Sequence, residues 1–135
     1  MPFSDTVHRA IELADATRNY WDAELPKRHP AYPIVHPGED SGPPPPEEVE
    51  LESLLRSLSL EDLHKLLALV EIGQMTLKPS EFESRARALL REEPDFDWII
   101  QQLMANVPLA AQLTDGLNEL TARGIDIDNM EKAAA

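Results

Sequence analysis

Proline sets the layout of this chain. Of its 12 prolines, Pro26, Pro30, Pro33, Pro37 and the run Pro43 to Pro46 crowd into LPKRHPAYPIVHPGEDSGPPPPEE, Leu25 to Glu48. Proline has no backbone N–H to donate and drives the preceding residue away from helical backbone, so no long regular element survives here. The segment reads as an extended loop, partly polyproline II. A loop of this length inside a compact domain is either functional or a spacer. The acids that follow the run, Glu47 and Glu48, favour a spacer over a docking ligand for aromatic grooves, since such ligands place a basic residue nearby.

Helical periodicity flanks the loop on both sides. Val7, Ala10, Ile11, Ala14 and Arg18 recur at helical spacing, with Ser4 or Asp5 as the cap, which predicts a helix from Ser4 to about Glu24. Tyr20 and Trp21 close it with apolar area that should dock on the main body. Beyond the loop, EEVELESLLRSL places Val49, Leu51, Leu54, Leu55 and Leu58 on one side, with acids in the first turn, where the helix dipole favours them. SLED at Ser59 starts the next helix, which stops near Gly73. SEFE at Ser80 starts a further helix carrying Phe82, Ala86, Leu89 and Leu90, closed by Pro94. Asp95 or Asp97 opens a fifth helix with Trp98, Ile99, Ile100 and Leu103. Pro108 opens a sixth, which ends at Gly124.

No strand pattern or repeat interrupts this series. The expected architecture is an all-α bundle of five to six short helices with antiparallel neighbours. Its divisions are an N-terminal helix (1–24), a proline-rich loop (25–46), a helical core (47–124) and a flexible tail (125–135).

Several functions are excluded by what the chain contains. It has no cysteine, which removes disulfides, thiolate metal sites and thiol nucleophiles. A net charge of −13 on 135 residues repels phosphate backbones and anionic lipid. Neither nucleic acid nor membrane is therefore an expected partner. The N-terminus lacks an apolar signal region, and no apolar run approaches the roughly 20 residues needed to cross a bilayer. The expectation is a cytoplasmic protein.

Three features taken together resemble a known pattern. ALVEIG (Ala68 to Gly73), the helix bearing Phe82 and Ala86, and WIIQQLMANVPLAAQLTDGL (Trp98 to Leu117) are similar to a family of small bacterial proteins described as a domain of unknown function (DUF3775-like). The match covers about residues 54–124. The family's turn continues with an aromatic residue, isoleucine and Gly-Arg-Gly, whereas this chain has Glu71, Ile72, Gly73, Gln74 and Met75. The resemblance implies an all-α fold and carries no established activity.

The candidate chemistry is sparse. Leucine, valine and isoleucine cover most of the helix from Leu60, leaving a strip of Glu61, His64, Ala68 and Glu71. At about 1.5 Å rise per residue, His64 and Glu71 stand roughly 10 Å apart, suited to flank a ligand or partner group or to form a solvated stripe. His8 and Glu12 have the i, i+4 spacing of a metal pair but lack further ligands in pattern. Asp126, Asp128 and Asn129 begin like an acidic calcium loop, but its central glycine is missing and Glu131 comes too early. No catalytic triad motif, glycine-rich phosphate loop or nucleotide fingerprint is present. No catalytic residue, cofactor or metal is assigned.

The leading reading is a protein–protein interaction or accessory module, binding another protein or itself. Its candidate surface contains His64, Glu71, Tyr20, Trp21 and Tyr32. One alternative is an acidic nucleic-acid mimic that presents Glu47, Glu48, Glu50 and Glu52 to a basic protein. The other is a small enzyme or metal protein using His64 with Glu71, or His8 with Glu12.

Overall fold

The computed structural model describes residues 2–28, 44–92 and 95–128, with the backbone alone at 25–28 and 90–92. Among the described residues six α-helices follow one another: α1 (Phe3–Arg28), α2 (Pro46–Arg56), α3 (Leu60–Gly73), α4 (Phe82–Glu92), α5 (Phe96–Ala105) and α6 (Leu109–Ala122). A 3-10 turn, Pro79–Glu81, leads into α4. The expected all-α bundle forms, and no strand occurs among the described residues. Most of the proline-rich loop, with Tyr32, lies outside the described residues, as does the chain beyond Asp128.

The centre of the bundle is α3, which packs against α4, α5 and α6. Leu63, Leu66, Leu69, Val70 and Ile72 are all buried on it. Its contact with α6 is a backbone contact. A Cβ added at Gly73 would land on the Gln112 backbone, and one added at Gly116 would land on the Leu69 carbonyl. Gly73 thus faces Gln112 while Leu69 faces Gly116, four residues along each helix in opposite directions, so the two helices cross antiparallel. Glycine costs a helix about 1 kcal/mol relative to alanine. Here that cost is offset by an approach that no larger residue permits.

Side-chain amides lock the same corner. Asn106 Nδ2 donates to Gln112 Oε1 at 2.6 Å, and Gln74 Nε2 donates to the same oxygen at 3.2 Å. Just beyond, α3 ends in a Schellman motif. Met75 N–H donates to the Ile72 carbonyl at 2.9 Å and Thr76 N–H to the Glu71 carbonyl at 3.0 Å. That motif needs left-handed backbone at Met75, whose φ is 65°. Met75 occupies the position of the second glycine in the resembled pattern, and its side chain is 91% exposed. Gly124 makes the equivalent turn after α6 at φ 70°, with no side chain to strain.

Three boundaries differ from the expected ones. First, α1 runs through Pro26 to Arg28 instead of ending near Glu24; in a last turn, proline removes only one backbone bond. Second, Ser80 does not cap α4. It lies inside the 3-10 turn, and the Glu81 carboxylate reaches back to the Lys78 N–H at 3.2 Å. Third, the start of the tail is tied down. Ile127 is buried, and Asp128 accepts from Ser4 N–H at 2.8 Å and from the Ser4 hydroxyl at 2.6 Å. The carboxylate that caps α1 thus comes from the far end of the chain, where the helix dipole and the unpaired N–H groups favour an anion.

Two exposed arginines strap α2 in place. Arg9 of α1 contacts Glu50 at 2.6 Å, and Arg56 reaches Asp97 of α5 at 2.9 Å.

Two substitutions probe this frame. Met75→Gly is expected to raise the unfolding free energy by about 1 kcal/mol, the cost of holding a side chain in left-handed backbone. Gly116→Ala is expected to lower it by at least the roughly 1–3 kcal/mol of an overpacked core. Urea unfolding of the full chain checks both; a neutral Gly116→Ala would contradict the backbone crossing.

Candidate binding clefts beside α5

Helix α5 is covered on one side only. Asp95 caps it by accepting from Asp97 N–H at 3.3 Å, and Ile99, Ile100 and Leu103 are buried. Trp98, Gln102 and Ala105 lie exposed on the other side. A concavity opens on each flank of its C-terminal end, and Leu103 and Asn106 line both.

The first cleft, about 370 Å³, lies between α1, α2, α5 and the turn before α6. Its apolar wall is built from Trp21, Leu51, Leu103, Met104, Val107 and Leu109. Trp21 is half-buried and held at both ends. Tyr20 meets its ring edge-on, with centroids 5.1 Å apart and planes at 81°, and its indole N–H donates to Glu48 Oε1 at 3.0 Å. Arg18, Asp22 and Glu48 supply the charge on this lining, and Arg18 lies 3.7 Å from Asp22. Val107 is 70% exposed, so apolar surface continues out of the cleft.

The second cleft, about 400 Å³, mixes polar and apolar side chains. Glu71 accepts from Arg85 Nε at 2.9 Å within it, beside Gln74, Gln102 and the 47% exposed Trp98. The pair is partly buried, with side chains 24% and 29% exposed. Glu71 therefore has a partner on α4 and is not a free carboxylate.

His64 overturns the expected polar strip. It is fully buried, as is Ala68, so His64 and Glu71 do not flank a shared ligand space. The helical wheel left that sector polar, but α4 packs against α3, and the sector is buried at His64 and Ala68 and half-covered at Glu71. Neither ring nitrogen of His64 has a hydrogen-bond partner among the described residues. Burial lowers its pKa from the ordinary 6.5, because the core disfavours the charged ring.

The remaining candidates also resolve differently from their spacing. The Glu12 carboxylate pairs with Arg9 at 3.1 Å, not with the exposed His8. Asp128 is committed to Ser4, and its own N–H donates to Asp126 Oδ1 at 2.9 Å. Among the described residues no three His, Asp or Glu side chains are grouped to hold a metal ion. Three acids of the proposed phosphate-like row are held by their own chain: Glu48 by Trp21, Glu50 by Arg9 and Glu52 by Arg56 at 3.8 Å. No helix among the described residues is long and apolar enough to cross a membrane.

Sequence reasoning named Trp21 and Glu71 but not the clefts that they line. Met104 and Val107 read as ordinary members of an apolar run. A signal was present in the order Trp98, Gln102, Ala105 against Ile99, Ile100, Leu103, which separates an open face from a buried one.

The buried ring makes stability pH-dependent in a defined direction. Above pH 6.5 it is neutral in both folded and unfolded chains and adds no slope. Below that pH the unfolded chain takes up the proton first, and stability falls by up to about 1.4 kcal/mol per pH unit until the folded pKa is reached. Urea titrations between pH 7 and pH 5 (~2 pH units, bracketing an unperturbed histidine) should show a shallower loss for His64→Leu than for the parent. At neutral pH that variant should be more stable by about 1 kcal/mol, since an unpaired buried polar group is removed. Equal slopes would show that His64 is solvated.

No protein-family model matches this chain, and neither does any curated protein or solved structure.

Proposed function

We propose that the protein is a protein–protein interaction module whose binding surface is the apolar cleft between α1, α2 and α5. The observation that carries this reading is the apolar wall of Trp21, Leu51, Leu103, Met104, Val107 and Leu109, which lines a cleft open to solvent and runs out to the exposed Val107. Large aromatic side chains held in place by their neighbours make effective anchors, because little freedom is lost when a partner docks. Methionine adds a surface that adapts to different apolar shapes. A volume of about 370 Å³ admits one or two large side chains of a partner.

The acidic-mimic reading receives less support, because Glu48, Glu50 and Glu52 each face a partner within the chain. The enzyme or metal reading loses the proximity on which it rested, since His64 is buried away from Glu71 and Arg9 takes Glu12. Kinship with the resembled bacterial family is proposed on the sequence pattern alone.

Site-specific photocrosslinking tests the reading. A benzophenone side chain at Val107 should give discrete adducts with one partner in cells, and Met104→Glu should abolish them while leaving the helical circular dichroism unchanged. The same probe at Asp115, an exposed position on α6, should give none. Adducts of equal yield from both positions, or insensitive to Met104→Glu, would overturn the proposal.

A further inference from the structure

We infer that the occupant of the apolar cleft is a cationic segment of another protein, with an aliphatic or aromatic anchor flanked by lysine or arginine. This inference rests on the binding reading above and adds the chemical class of the partner. It starts from where the chain's few cations go. Against 25 acidic residues stand 12 basic ones. Arg9, Arg18, Arg56, Arg85 and Arg87 each pair with an acid of their own chain. Each such pair takes up one acid per cation, so the net charge of −13 is left unneutralised.

The cleft follows the same pattern locally. Its lining holds two acids, Asp22 and Glu48, and one cation, Arg18, which is already drawn to Asp22. Glu48 has only Oε1 engaged by the Trp21 indole in the described contacts, and a carboxylate accepts at both oxygens. Asp22 comes from α1 and Glu48 from α2, and both line the cleft beside Trp21. An anionic segment would meet the repulsion of the whole surface. A neutral one gains hydrogen bonds to the acids but no attraction between opposite charges. A cationic one gains attraction during approach and charge-assisted hydrogen bonds at the rim.

Three synthetic peptides with one apolar pattern around a central leucine, carrying lysine, glutamine or glutamate at the polar positions, test this on the full chain. Heteronuclear NMR follows the Trp21 indole and the amides of Leu103 to Val107 and of Leu109. The lysine peptide should shift these signals and bind at least tenfold more tightly than the glutamine peptide, and the glutamate peptide should not bind. Asp22→Asn with Glu48→Gln should erase most of the lysine advantage, and added salt should weaken it. Equal binding of the lysine and glutamine peptides would overturn the inference and leave the cleft reading intact. Lysine-peptide binding that survives Trp21→Ala and moves other signals would be diffuse attraction and would also overturn it. If none of the peptides shifts the cleft, both the inference and the reading beneath it fall.

Discussion

The backbone contact between α3 and α6 is the constraint on which the rest of the bundle depends. Gly73 and Gly116 remove the side chains that would hold the helices apart, so each lies against the other's main chain. Once α3 and α6 are in contact, the Gln112 amide can join Gln74 and Asn106 at one corner. The turn from α5 into α6 is then fixed, and with it the position of Val107 and Met104. Asn106 of this corner lines both clefts beside α5, so the glycine contact bears on their shape.

The bundle carries two local costs. Met75 is held in left-handed backbone without being glycine, and His64 is enclosed without a described hydrogen-bond partner. Both lie on α3 or its cap, where packing against α4, α5 and α6 supplies the compensating burial. The exposed ion pairs around α2 are a different kind of contact. Solvent-exposed pairs contribute little net stability, and here they link α2 to α1 and α5. The net charge of −13 comes from the excess of acids in the sequence.

Joining of the chain ends gives the fold a closure that helix order alone would not. Asp128 caps α1 at Ser4, and Phe3 beside it lies under the Lys65 ammonium, 5.3 Å from the ring centroid. The start of α1 is thereby held against the centre of the bundle. Its later turns carry Tyr20 and Trp21 to the rim of the cleft, so a contact at one end of a long helix steadies the functional candidate at the other.

Helix existence and type were legible in the chain itself, because apolar spacing, Ser59 and Asp95 caps, and prolines act within a few residues of each other. The core leucines of α3, the buried side of α5 and the placement of Trp21 against the body follow from the same local rules. Other outcomes needed the tertiary structure. A helical wheel shows that His64 and Glu71 share a side, but not that α4 covers it and gives Arg85 to Glu71. Spacing offered His8 to Glu12, and Arg9 took it. The tail looked unanchored until Ser4 stood beside Asp128, 124 residues away. Burial and pairing depend on which helices meet, and one-dimensional periodicity does not encode that. For this protein the sequence by itself determined the helices, and the close crossing of α3 on α6 decided which of their polar residues meet solvent, a partner or nothing.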